Sequence, residues 1–192
     1  MARALVLLMA LLAASAAAQQ SDPPNSLLLV AKPELSEPSF RESVVLVTQA
    51  ADFSTVGVIL NRPSQARHPA TGATLYLGGP VMLQVVVALL RSDTTPQAPA
   101  FHVLQGVYLT MHPQNLEGLG QDGQRYRLYN GFSGWAPRQL ENEIRRGGWY
   151  VLPASEELLF RRDTTGMWQE LHERARGERA HAQSAMRVAV HR

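Results

Sequence analysis

The stretch YNGFSGWAPRQLENEIRRGGW, from Tyr129 to Trp149, decides which kind of fold this chain adopts. Glycines, a serine, a tryptophan and a proline stand here directly before a charged amphipathic segment. Two interpretations compete for this stretch. It is a catalytic turn that presents Ser133, or it is a rigid corner between a strand and a helix.

A nucleophile elbow requires a serine on a tight turn flanked by glycines, in the pattern G-x-S-x-G. Gly131 and Ser133 match its first half, but Trp135 stands where the closing glycine allows the following helix to pack against the strand. The only downstream histidines that could activate the serine are His172, His181 and His191. We therefore predict no catalytic residue, and a small-molecule hydrolase that uses the 131–135 turn is an alternative.

The corner interpretation explains the residues on both sides of the turn. Pro137 suits the first position of a helix, where its missing N–H has no partner to lose. Leu140 and Ile144 are four residues apart and would face a core, and the glycines at 147 and 148 would end the helix. The pattern predicts a strand before the turn and a helix over residues 137–146.

Apolar and β-branched runs predict the other strands, and longer periodic segments predict helices. The predicted strands cover residues 27–31, 43–48, 55–60, 75–77, 101–104, 107–111, 126–130 and 149–152. The predicted helical segments lie at 81–91, 112–120, 137–146, 155–160 and 166–176, with a polar loop at 63–74. Two hairpins among interleaved helices favour a mixed sheet of the α/β (α+β) class with helices packed on it, and not a doubly wound parallel fold.

The N-terminus has the order of an export signal. Arg3 supplies a positive charge, residues 4–14 are apolar, and alanines at 16–18 form a cleavage site. We predict a signal peptide at 1–18, a linker at 19–26, and a periplasmic or secreted protein that keeps no membrane attachment after cleavage. If the start codon is assigned too early, the protein is cytoplasmic.

Composition excludes several kinds of site. The chain has no cysteine, so disulfides, thiolate nucleophiles and cysteine-bound metals are excluded. Its formal net charge of +2 arises in the C-terminal part, because residues 25–160 hold ten basic and eleven acidic side chains. We predict a basic, disordered tail at 177–192 and, for an exported protein, no nucleic-acid partner.

Four segments together resemble the AlgH/YqgE family of uncharacterised bacterial proteins. They are LLLVAKPELSEPSFRESVVLV from Leu27, GVILNRP from Gly57, LYLGGPV from Leu75 and GFSGWAPRQLENEI from Gly131. The resemblance covers a domain that we place at 27–176. It implies a strongly curved sheet closed into a barrel-like shape, with no established enzyme activity. The family takes its name from a proposed role in regulating transcription of alginate genes, so a cytoplasmic transcriptional regulator is a second alternative.

The chain departs from the family pattern at Arg138, where a small residue or glycine is common. Ser133 also stands at a position that is often alanine in the family. The resemblance therefore argues further against a serine nucleophile at 133.

Loops that follow strands are the usual place for a ligand on such a sheet. We predict that three loops and the following helix converge on one shallow pocket for a small anion or a peptide carboxylate. Its residues are Asn61, Arg62, Gly78, Gly79, Gly131, Trp135, Gln139 and Glu141. The predicted helix after Gly78-Gly79-Pro80 would contribute its N–H groups and dipole. In the alternative interpretation these residues only shape turns. We predict no cofactor, and no metal at His102 and His112.

Overall fold

The computed structural model describes residues 26–120 and 123–190, with side chains described as far as residue 179. The predicted signal peptide and residues 19–25 of the predicted linker lie outside these ranges, and Ser26 already belongs to the first strand. The strands are β1 Ser26–Ala31, β2 Val44–Gln49, β3 Thr55–Ile59, β4 Pro63–Arg67, β5 Thr74–Leu77, β6 Val81–Arg91, β7 Phe101–Leu104, β8 Val107–Thr110, β9 Tyr126–Trp135 and β10 Trp149–Pro153. The helices are α1 Pro113–Leu116, α2 Gln139–Arg145, α3 Glu156–Leu159 and α4 Met167–Val190, with a single 3-10 turn at Pro38–Phe40.

The strands of the described chain form one curved sheet that is almost entirely antiparallel. The main order is β10-β1-β2-β3-β9-β6-β8-β7, and β4 pairs with β5. β5 runs parallel to β9, which makes the sheet mixed. The predicted mixed sheet with two hairpins is confirmed, since β2 pairs with β3 and β7 pairs with β8 in antiparallel register.

The sheet curls into a half-barrel and stays open, so the prediction of a closed barrel is wrong. β7 ends one edge of the sheet and approaches β1 from across the interior. There the hydroxyl of Ser26 donates a hydrogen bond of 2.6 Å to the carbonyl of Val103. β7 is only four residues long, and its register shifts between His102 and Leu104. A strand this short and irregular does not present the regular row of backbone hydrogen-bonding groups that a second edge strand would need to close the barrel.

Three apolar clusters are buried in the described chain: one inside the half-barrel, one on the outer face of β1 and β2, and one around Leu75, Leu90 and Leu128. Leu28 and Val30 of β1 point into the half-barrel, and Leu29 and Ala31 point to the outer face. The continuous apolar run of β1 follows from this position, because a strand buried on both faces shows no polar alternation. α4 covers the interior with three buried residues, Met167, Leu171 and Ala175.

The segment 81–91 is a strand, and the predicted helix there is wrong. β6 pairs with β9 on one side and with β8 on the other. An apolar run of this length fits a buried helix or a buried strand equally well by periodicity. The β-branched valines at 85–87 favour the strand once two neighbours supply backbone partners. The predicted loop at 63–74 likewise contains β4, which lies at an outer edge.

The corner after β9 also differs from its prediction. β9 continues from Tyr126 through Trp135, so the 131–135 segment is strand and not turn. α2 begins at Gln139 and not at Pro137, because Arg138 has a left-handed backbone (φ +67°) and stands as the N-cap. The glycine end of the helix is confirmed, since the N–H groups of Gly147 and Gly148 bond to the carbonyls of Ile144 and Glu143.

The last helix is longer than predicted. α4 continues to Val190, so most of the stretch that we expected to be a disordered tail is helical. The sequence from 173 to 183 is rich in alanine, glutamate and arginine, which have high helix propensity, and Arg174 pairs with Glu178 one turn later. Within the described ranges, no helix is both long enough and apolar enough to cross a bilayer.

Candidate functional site

The glycine motifs meet at one junction in the centre of the sheet. The N–H of Gly78 donates to the carbonyl of Asn130, and the carbonyl of Gly78 accepts from the N–H of Ile59. A Cβ on Gly78 would overlap the carbonyl oxygen of Gly131, and Gly131 itself needs a left-handed backbone (φ +67°). Only glycine permits both the approach and the conformation. Backbone atoms therefore fill the space that side chains would occupy at this junction.

Ser133 lies inside this junction and is fully buried. Its hydroxyl donates a hydrogen bond of 3.1 Å to the carbonyl of Gly78. The hydroxyl proton is thus committed to a backbone acceptor, and β9 does not present the oxygen to solvent. This geometry contradicts the alternative of a hydrolase that uses the 131–135 turn.

Asn61 and Arg62 hold the loop that precedes β2. The side chain of Asn61 accepts from the N–H of Val44 and donates to the carbonyl of Glu42, both at 2.9 Å. The guanidinium of Arg62 donates to the carbonyls of Ser39 and Arg41. Partial burial lowers the pKa of Arg62, and two backbone acceptors already use its donors. Both residues therefore act within the chain.

Trp135 belongs to an aromatic cluster on the outer face. Its ring stacks on Phe40 with ring centroids 5.5 Å apart, and Trp149 meets both rings edge to face. One carboxylate oxygen of Glu143 accepts from both indole N–H groups, at 3.1 Å from Trp135 and 3.0 Å from Trp149. The other oxygen accepts from the side-chain amide of Gln139 at 3.2 Å.

Sequence reasoning missed Glu143, and it linked Gln139 with Glu141 instead. The signal was present, because Gln139 and Glu143 are four residues apart on the helix and each tryptophan needs an acceptor for its indole N–H. The structure thus explains the polar pattern of this helix by hydrogen bonds within the protein.

The predicted ligand residues fall into separate places. Gly78, Gly79 and Gly131 meet at the junction, and Trp135 and Gln139 belong to the aromatic cluster. Gly78-Gly79-Pro80 precedes strand β6, so the expected contribution of a helix dipole is wrong. Ligand binding by these residues stays a prediction, although each side chain except that of Glu141 has a partner inside the protein.

Glu141 lies at a different feature, a groove between α2 and the β2–β3 hairpin. We call this feature the α2 groove; it has a volume of about 180 Å³. Its floor is apolar and includes Val47, Leu140 and Ile144, while Arg138 and Glu141 stand at its rim. Leu27 and Phe53 add exposed apolar surface to the lining, and Thr48, Gln49 and Thr55 add polar side chains.

Two residues of the α2 groove have a strained backbone. Phe53, in the turn between β2 and β3, has φ +64° and is 69% exposed, and Arg138 has φ +67°. A left-handed backbone at a residue with a Cβ costs roughly 1–2 kcal/mol, and such strain concentrates at functional sites. Glycine is the residue that would relieve this strain at 138. An aromatic residue in a polar turn was the sequence signal that reasoning missed for Phe53.

The histidines considered as metal ligands have other roles. His112 caps α1, with its ring nitrogen accepting from the N–H of Gln114 at 3.3 Å. His102 lies against the ring of Tyr108, with centroids 5.4 Å apart. Over the described residues, no group of three histidine, aspartate or glutamate side chains is arranged to hold a metal ion.

Comparison with protein families and with known proteins agrees with the four sequence segments. A family model described as AlgH-like matches residues 28–180. A UPF0301 protein of Thermobifida fusca is 34% identical over 173 residues, which covers 80% of this chain and 87% of that protein. A UPF0301 protein of Mycobacterium tuberculosis is 36% identical over 141 residues, covering 66% of this chain and 70% of the relative.

Two solved structures share the fold. Protein DIP2367 from Corynebacterium diphtheriae superposes with a TM-score of 0.61 at 24% identity, covering 80% of this chain and 87% of that chain. The AlgH protein from Pseudomonas aeruginosa superposes with a TM-score of 0.60 at 24% identity, covering 74% of this chain and 85% of the other. At this identity the likeness concerns the fold alone.

Proposed function

This chain belongs to the AlgH-like family, and we propose that it is an exported, non-catalytic binding protein that holds a peptide segment in the α2 groove. The segment would carry an apolar side chain next to a carboxylate. One observation carries the proposal: Phe53 keeps an aromatic ring exposed on a left-handed backbone directly beside an apolar groove. The N–H of Phe53 closes the β2–β3 turn by donating to the carbonyl of Ala50, but its exposed ring buries little surface and its backbone is strained.

The lining of the α2 groove matches a short apolar anchor. Val47, Leu140 and Ile144 form an apolar floor, and the small volume suits a single side chain. Phe53 and Leu27 would cover that side chain from the edges and remove its apolar surface from water.

The rim of the α2 groove supplies charge selectivity. Arg138 offers a fork of donors that suits a carboxylate, and Glu141 stands three residues later on the same rim. A peptide carboxylate would approach Arg138, and an amine or amide N–H of the same peptide would approach Glu141. This arrangement retains the predicted ligand class, although it retains only Glu141 of the predicted ligand residues.

Export rests on the N-terminal sequence. The charge at Arg3, the apolar run at 4–14 and the alanines at 16–18 have the order of a cleavable signal. N-terminal sequencing of the protein produced from the full gene in its bacterial host would test this part. We expect a mature chain that begins at Gln19 and is recovered from the periplasm or medium, whereas an intact Met1 in the cytoplasm would contradict export.

The groove is tested with tetrapeptides that end in leucine, used with a free carboxylate and with an amidated C-terminus. We expect the free carboxylates to bind more tightly by calorimetry or by chemical-shift perturbation. Phe53→Ala should weaken binding about tenfold, which is close to 1.4 kcal/mol. Leu83→Ala is the matched control, since it removes an exposed apolar side chain that does not line the groove. Equal binding by carboxylate and amide, or equal loss in both variants, would contradict the proposal.

Arg138 allows stability and binding to be separated. Arg138→Gly relieves the left-handed strain, so we expect the free energy of unfolding to rise by about 0.5–1 kcal/mol, while carboxylate binding weakens. Arg138→Ala keeps the strain but removes the charge, and it should weaken binding without the gain in stability. Urea denaturation of both variants beside the peptide titration is the measurement. A loss of stability in Arg138→Gly would contradict the strain that we assign to the backbone at 138.

A further inference from the structure

A second cleft shares no lining residue with the α2 groove. We call it the arginine cleft. It is formed by the ends of β5 and β9 and by the segment that follows α3, and its volume is about 450 Å³. Three arginines line it, Arg125, Arg127 and Arg162, together with the rings of Tyr76 and Phe160. This volume is within the range of small-ligand sites.

Arg127 is the buried base of the arginine cleft. Only 7% of the residue is exposed, and its guanidinium lies 4.6 Å from the ring centre of Tyr76. Its hydrogen bonds go to two backbone carbonyls, those of Arg161 and, at 3.5 Å, of Leu60. Within the part of the chain that the structure describes, no carboxylate lies within ion-pair distance of Arg127. A buried cation without a counter-charge is costly, so the site favours an anion.

Tyr129 lies close to Arg127 in the core behind the cleft, although it does not itself line the cleft. Its ring lies 5.9 Å from that of Tyr76, its hydroxyl is completely buried, and the hydroxyl has no hydrogen-bond partner of normal geometry among the described residues. Burial raises the pKa of this hydroxyl far above its usual range, more than Arg127 lowers it through its charge and the close approach of its guanidinium. The hydroxyl therefore stays protonated and remains available as a donor. Buried polar groups without partners are rare in native proteins.

The net charge of the arginine cleft is positive. Glu156 forms an ion pair with Arg125, and its carboxylate also lies 3.9 Å from the guanidinium of Arg91. Arg162 is exposed at the rim, and Arg125 also lies over the ring of Phe160 at 5.5 Å. Three arginines and one glutamate leave a formal charge of +2 at the cleft, which is the charge that a tetrahedral dianion would neutralise.

We propose that the arginine cleft binds a dianionic phosphate group, either as inorganic phosphate or as the phosphoryl group of a larger molecule. Arg127 is the buried anchor, and Arg125 and Arg162 close on the oxygens from the rim. Guanidinium groups bind phosphate through paired, charge-assisted N–H donors, and a cluster of arginines is the usual protein device for recognising phosphate. The site is independent of peptide binding in the α2 groove.

Thermal unfolding and calorimetry with sodium phosphate, sodium sulfate and sodium chloride at matched ionic strength test the proposal. We expect phosphate and sulfate to raise the unfolding temperature in a saturable manner, with chloride giving no comparable rise. Phenyl phosphate distinguishes the two sources. Binding tighter than inorganic phosphate assigns the site to the phosphoryl group of a larger molecule, and equal or weaker binding assigns it to the free ion.

Variants locate the effect in the arginine cleft. Arg162→Gln, at the exposed rim, should weaken phosphate binding about tenfold without unfolding the protein. Arg146→Gln, which removes an exposed arginine that does not line the cleft, is the matched control and should bind as the parent does. Arg127→Lys keeps a buried charge but loses the guanidinium fork, so it should bind phosphate more weakly than the parent. The proposal is overturned if phosphate gives no stabilisation beyond chloride, or if Arg162→Gln and Arg146→Gln lose affinity equally.

Discussion

At the scale of the residue, Glu143 is the acceptor for the polar N–H groups of the aromatic cluster. One of its carboxylate oxygens receives the indole N–H groups of Trp135 and Trp149, and the other receives the amide of Gln139. The rings themselves pack with Phe40 on the outer face. A single acidic side chain thus ties the end of β9, the helix α2 and the start of β10 together.

Replacement of Glu143 should destabilise the protein in proportion to the hydrogen bonds that are lost. Glu143→Ala leaves two largely buried indole N–H groups without an acceptor, and we expect a loss of about 3 kcal/mol. Glu143→Gln keeps an amide oxygen for the indoles but loses the charge, so about 1–2 kcal/mol is expected. Urea denaturation followed by tryptophan fluorescence measures both. Glu141→Ala, on the exposed side of the same helix, should stay within about 0.5 kcal/mol of the parent.

At the scale of the element, β9 organises the sheet because it pairs with three strands. Residues 126–130 pair with β6, residues 128–130 also pair with the parallel β5, and residues 133–135 pair with β3. The strand changes partner at Gly131, where the backbone is left-handed and Gly78 packs directly against it. The glycine motifs therefore allow β9 to exchange one partner strand for another, and they do not present a nucleophile.

A side chain at Gly78 should disrupt the close packing against Gly131 at which β9 changes its partner strand. The Cβ of Gly78→Ala would overlap the carbonyl of Gly131, a backbone atom that cannot move without breaking the pairing of β9, so we expect a loss of at least about 3 kcal/mol. Gly134→Ala, in the same strand, is the control. Its new Cβ would meet the ring of Phe132 at 3.6 Å, an ordinary contact, so stability should change by less than about 1 kcal/mol. If the two variants were equally stable in chemical denaturation, the close approach of Gly78 to Gly131 would not be needed for the pairing of β9.

At the scale of the whole molecule, α4 completes a sheet that does not close on itself. Met167, Leu171 and Ala175 enter the inner core, and the indole N–H of Trp168 donates to the carbonyl of Ala31 at 2.7 Å. The ion pair between Arg161 and Glu170 fastens the start of the helix to the preceding segment. The helix thus covers apolar surface that a closed barrel would bury between its own strands.

The dependence of the inner core on α4 is measured with Leu171→Ala. Leu171 is completely buried, so we expect a loss of about 2–5 kcal/mol from the removed methyl groups and the cavity that remains. Glu173→Ala, on the exposed side of the same helix, should leave stability within about 0.5 kcal/mol of the parent. Thermal and urea unfolding provide the comparison. Equal stability of the two variants would mean that the half-barrel stands without its helix.

The sequence by itself was enough for the local elements whose signals are strong. The apolar run at 27–31, the two hairpins and the glycines that end α2 lie where the patterns predicted them. The four motif segments also identified the family. Each of these signals is contained within a few consecutive residues, so knowledge of distant neighbours was unnecessary.

Only the tertiary structure decided which strands meet and which side chains face each other. Residues 81–91 became a strand because β8 and β9 lie on either side of it, and the sheet stayed open because β7 is short and irregular. Phe53 and Arg138 meet at one groove although 85 positions separate their numbers in the chain. Periodicity reports which residues are buried, whereas backbone pairing and grooves depend on contacts between distant segments, and a local pattern does not contain that information.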